Sequence, residues 1–73
     1  MNETIKIWIE NLENPTVEEI KKEIEEVKGT IRNEHLWELG YDGEEPMNPH
    51  TENIMILNEY LEVLEEMLKE KEN

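Results

Sequence analysis

Cysteine is absent from the 73 residues. No disulfide and no cysteine-ligated zinc can therefore staple the fold, which fits a reducing, cytoplasmic setting. Aromatics are few: Trp8, Trp37, Tyr41 and Tyr60, with no phenylalanine. No run of about 18 apolar residues occurs, so no membrane-spanning helix is expected. The N-terminus has no basic stretch followed by an apolar one, so no signal peptide is expected either. Positive charge is scarce as well. Seven lysines and arginines stand against twenty aspartates and glutamates, a formal net charge of −13. A surface of that sign repels nucleic acid and anionic lipid. The hydroxyls besides tyrosine are Thr4, Thr16, Thr30 and Thr51. With no thiol and no glycine-rich phosphate cradle, nothing in the sequence singles out a nucleophile. Carboxylates are so abundant that no pair of them stands out as catalytic. The two histidines, His35 and His50, lack a His-x-x-x-His or Glu-x-x-His partner on one helix. No metal, cofactor or enzymatic activity is expected on these grounds.

What the sequence does contain is regular apolar spacing. A single domain of 73 residues builds a core that is only marginally sufficient, so help from a second chain is a fair expectation. Thr16 followed by Glu19 forms a capping-box start for a helix over 16–40. Val17, Ile20, Ile24, Val27 and Ile31 are spaced 3, 4, 3, 4, a heptad seam on one face. Gly29 lies on the far side of that seam, and Gly40 is a natural stop. The stretch "GYDGEEPMNPH" is turn chemistry, giving a loop over 41–48. Asn48 then caps a helix over 49–71 with Pro49 at its first position; Thr51 is the alternative cap. Ile54, Leu57, Leu61, Leu64 and Leu68 repeat the 3, 4, 3, 4 spacing. Two such seams around one loop close as an antiparallel hairpin, pairing Ile31 with Ile54 through to Val17 with Leu68.

The last helix carries a second apolar stripe, Ile56, Tyr60, Val63 and Met67, about 120° round from the first. It needs a second neighbour. The opening stretch "TIKIWIENL" offers one and is ambiguous. Ile5, Ile7 and Ile9 alternate as in a strand, whereas Ile5, Trp8, Ile9 and Leu12 share one face of a helix. A lone strand leaves its backbone groups unpaired unless it pairs with its copy in a dimer. A short helix over 3–13, capped by Asn2, has no such need and is the reading preferred. The expected fold is thus all-α: a short N-terminal helix on a long antiparallel hairpin, with dimerisation into a helical bundle through Ile56, Tyr60, Val63 and Met67 as a further expectation. A short helix cannot cover the whole stripe, which leaves apolar surface for another molecule.

Two features invite a functional reading. Leu36, Trp37, Tyr41 and Met47 gather with Leu39 and His50 at the loop end. They form either a small local core, with Trp37 tucked under the loop, or a binding patch of the hot-spot type. Glu59, Glu62, Glu65, Glu66 and Glu70 make an acidic surface on the last helix. It is either a solubilising face or a decoy for the basic groove of a nucleic-acid-binding protein.

Residues 31–68 also resemble a known group. The elements "NEHLW.LG", the proline-containing loop, "HTEN" and "L..YLEVLE.ML" are similar to small acidic helical-hairpin proteins of phages and prophages of Gram-positive bacteria. The resemblance implies an intracellular accessory protein; some small acidic phage proteins inhibit host or defence proteins. The function expected is a non-enzymatic protein-binding module, an inhibitor or regulator whose partner is another protein, basic or nucleic-acid-binding. The alternative is a self-associating structural protein without an outside client.

Overall fold

A computed structural model describes residues 2–41 and 48–72. Three helices make up the fold: α1 (Glu3–Asn11), α2 (Val17–Leu39) and α3 (Pro49–Glu72). α2 packs along α3 as the hairpin and α1 packs on α3, within a rod of 47 × 22 × 17 Å. "TIKIWIENL" is helical. Ile5 is buried, Trp8, Ile9 and Leu12 are half-buried, and Ile7, inward on a strand reading, is 56% exposed. The demand of the α3 stripe for an apolar neighbour overrides the strand preference of three isoleucines.

Each helix start follows from a local cap. Asn2 Oδ1 accepts from the Thr4 amide at 2.7 Å. Thr16 and Glu19 exchange both bonds of a capping box, the Glu19 amide donating to Thr16 Oγ1 at 3.2 Å. At α3 the His50 amide donates to Asn48 Oδ1 at 2.9 Å, so Asn48 rather than Thr51 is the cap. Such caps contribute about 1 kcal/mol each. Acidic residues occupy all three first turns, where they complement the helix dipole. α2 ends at Gly40, whose φ of −90° is not left-handed, so the stop there comes from amide bonds back into the last turn. The left-handed backbone lies instead at Glu13 (φ 51°) and Asn14 (φ 58°). These two residues reverse the chain, end α1 at Asn11 rather than 13, and deliver Pro15 into a buried position.

The core is the meeting line of the three helices. Ile5, Ile20, Ile24, Val27, Tyr60 and Leu64 form one buried cluster, and Ile20 and Leu64 lose all contact with water. Burial of such side chains stabilises by about 1.5–3 kcal/mol each. Ile31, Leu57, Leu61 and Leu68 of the seam pack against it half-buried, as do Ile56, Val63 and Met67 of the second stripe. Gly29 costs helix stability without a packing reason, since a Cβ there would meet nothing within 4 Å. Gly29→Ala is expected to stabilise by about 1 kcal/mol and to raise the melting temperature by roughly 4–8 °C; thermal unfolding followed by circular dichroism checks this.

Candidate interaction surfaces

The loop end of the hairpin is where apolar side chains meet water. α2 continues past its last apolar seam residue, Ile31, with Glu34 and Glu38 in the inward phase, and α3 begins with His50 in the matching phase. The seam is therefore closed by polar pairs. His50 Nδ1 lies 2.6 Å from Glu34 Oε2, Asn48 Nδ2 donates to the Glu38 carbonyl at 3.2 Å, and Thr51 Oγ1 donates to the Glu38 carboxylate. His35 stays on its own helix, 3.5 Å from Glu38. Among the described residues no three histidine, aspartate or glutamate side chains converge as metal ligands do.

On that polar plug stand the aromatics. The Trp37 ring lies near-parallel to His50, centroids 6.4 Å apart, and Tyr41 meets the same imidazole edge-on at 6.2 Å. Trp37 is nonetheless 67% exposed, Leu36 66% and Leu39 84%. A local core with Trp37 tucked away does not fit that exposure. Tyr41 is half-buried. Met47, the fourth residue of the expected patch, lies outside the described residues. By helical phase Trp37 continues the flank of α2 that faces α1, while Leu36 and Leu39 lie round the helix from it.

The second stripe is occupied from within the chain. Tyr60 is buried, its ring 5.0 Å from that of Trp8, and its hydroxyl donates to Glu23 Oε1 at 3.2 Å. Burial, and then the charge of Glu23, push the phenol well above its ordinary pKa. Tyr60 is thus not available to a second copy, in contrast to the dimer-interface expectation for it; Ile56, Val63 and Met67 keep a half-exposed edge. Glu59, Glu62, Glu65, Glu66 and Glu70 are all exposed, with Glu62, Glu65 and Glu66 around a shallow hollow shared with Lys69.

A further concavity opens beside α1, where the shortness of that helix is expected to leave apolar surface uncovered. α1 packs on α3 but its Cα atoms stay more than 8 Å from those of α2. Between them one hollow of about 370 Å³ includes Trp8, Leu12, Glu23, Glu26, Val27 and Thr30 in its lining. Another, of about 350 Å³, includes Thr4, Trp8, Glu34, Ile56 and Leu57. The sequence signal for it is the contrast between a helix of nine residues and two of 23 and 24. Among the described residues no helix is long and apolar enough to cross a membrane. No family model matches the chain, and neither a curated protein nor a solved structure matches it.

The raised pKa of Tyr60 has a sign. Folding favours the protonated phenol, so its contribution is complete below the unfolded value near 10 and is lost as pH rises past it. Tyr60→Phe is expected to flatten the fall in stability above about pH 10, and to cost about 1 kcal/mol at neutral pH through loss of the bond to Glu23. Urea unfolding midpoints across that range measure both effects.

Proposed function

We propose that this chain is a non-enzymatic protein-binding module that docks another protein on the loop end of its hairpin. The observation that carries the reading is the exposure of Leu36, Trp37 and Leu39 around the last turn of α2. A small protein has no folding reason to leave three large apolar side chains there, and tryptophan is the residue most enriched in interface hot spots. Trp37 is braced by His50, and His50 by Glu34. A braced side chain loses less freedom on binding than a loose one, so more of the contact energy is retained as affinity. The net charge of −13 steers a basic partner, including one whose own ligand is nucleic acid, and repels an acidic one. An inhibitor or regulator encoded by a phage, acting on a host or defence protein, is the biological role that the resemblance of residues 31–68 favours. An enzymatic role has little to draw on: four threonine hydroxyls, no thiol, and hollows that are shallow and open.

A second reading is self-association without an outside client. It rests on the half-exposed edge formed by Ile56, Val63 and Met67. Mutual repulsion of two copies of charge −13 weighs against it.

For the docking reading, Trp37→Ala is expected to weaken the purified complex with the captured partner by about thirtyfold or more, as hot-spot truncations do, while helicity and melting temperature hold. An unchanged dissociation constant removes the loop end from the interface. Light scattering over a range of concentrations tests the second reading: a dimer that Val63→Glu converts to a folded monomer supports it, and a monomer throughout rules it out.

A further inference from the structure

We infer that the cleft between α1 and α2 is the seat of a cationic amphipathic helix supplied by a partner protein. This rests on reading the chain as a protein-binding module, and adds a second contact region and the chemistry of what fills it.

The cleft arises from the way α1 is placed. Packed helices normally lie 8–10 Å apart axis to axis. α1 meets α3 closely, yet none of its Cα atoms comes within 8 Å of one in α2. Ile5 joins the α2 residues of the core cluster, and beside it the space between the two helices is left open. Trp8 divides that opening into the two hollows, and Leu57 lies at the floor of both. Val27 and Leu12 extend the apolar floor on one side and Ile56 on the other. The charged groups of the lining are Glu23, Glu26 and Glu34, all on α2, with no lysine or arginine in either hollow. The cleft thus presents an apolar floor and a wall of carboxylates.

That combination selects its occupant. Between two helices, the element that best buries an apolar floor is a third helix laying one apolar stripe along it. From Glu23 to Glu34 is eleven residues, about 16 Å or three turns. Lysine or arginine flanking the stripe would meet Glu26, and the second carboxylate oxygens of Glu23 and Glu34, whose first ones face Tyr60 and His50, in turn. A second copy of this chain is disfavoured, because its own charge of −13 would be brought against the carboxylate wall. Trp37 stands on the same flank, three residues beyond Glu34, so an occupant leaving the cleft passes the loop-end patch.

The test uses the full chain and a synthetic amphipathic peptide of leucine and lysine, with its leucine–glutamate counterpart as control, at physiological salt. Trp37→Phe leaves Trp8 as sole fluorophore for the cleft, and Trp8→Phe leaves Trp37 as sole fluorophore for the patch. The expected result is a saturable blue shift of Trp8 with the lysine peptide and none with the glutamate peptide. Glu23→Gln, Glu26→Gln and Glu34→Gln together are expected to weaken binding about tenfold or more, against less than about twofold for Glu59→Gln, Glu62→Gln and Glu66→Gln on the far face. Thr30→Arg, an exposed position in the cleft wall, is expected to weaken binding equally and keeps the test sound if the triple variant does not fold. Equal loss from far-face substitutions means general charge attraction and overturns the inference. So does absence of binding, or shielding of Trp8 without peptide in a species of twice the mass. A response of Trp37 alone overturns the cleft seat while leaving loop-end docking standing, and that reading fails separately if Trp37→Ala leaves the captured complex unchanged.

Discussion

Ile20 and Leu64 face each other's helices across the seam of the hairpin and are the side chains cut off entirely from water. Everything else in the molecule is arranged around that dry contact. A chain with 37% charged residues has little apolar surface to spend on a core. The hairpin concentrates it on one line, and α1 extends the line sideways through Ile5, which joins the cluster that holds Tyr60. The glutamates can then be numerous because none of them is asked to enter the core; Glu23, Glu34 and Glu38, which are half-buried, each receive a specific partner, Tyr60, His50 and Thr51.

The shortness of α1 has opposite effects at its two faces. Towards α3 it is long enough to take Tyr60 out of water, and the phenol is tolerated there because its hydroxyl donates to Glu23 at the edge of the core. Towards α2 it is too far away to close the gap. The linker enforces this asymmetry. Two consecutive left-handed residues, neither of them glycine, are costly to hold, and they persist because Pro15 behind them is buried and Asn14 is tied to Lys71 at 3.3 Å. α1 is placed by its tether as much as by its packing.

Much of this architecture is legible in the residues. The 3, 4, 3, 4 spacings, the Thr16–Glu19 box and Asn48–Pro49 place the hairpin to within a residue or two, because heptad seams and caps are local signals. The helical state of "TIKIWIENL" is legible only by asking what covers Tyr60; its local preference points the other way. The patch is legible in part. Trp37 and Leu36 are out of phase with the seam, and that fixes their exposure. Their support by His50 is not visible, since it depends on how the chain crosses between the two helices. The cleft is less legible still. Periodicity gives the direction of an apolar face, whereas the separation of α1 from α2 is set by the angle at which Glu13 and Asn14 turn the chain, and neither residue carries the usual glycine signature of such a turn.

The polar plug at the loop end bears on which alignment of the hairpin is chosen. Two seams with the same seven-residue spacing can slide past one another by one heptad, about 10 Å, and still bring isoleucine and leucine opposite each other. Apolar contact alone does not choose between the alignments. His50 with Glu34, and Asn48 and Thr51 with Glu38, exist in one of them only; in the shifted pairing those carboxylates would oppose aliphatic side chains. The hydrophobic residues thus provide the drive to associate, and a few polar side chains at the far end set the register, the division of labour by which buried polar positions specify pairing in coiled coils.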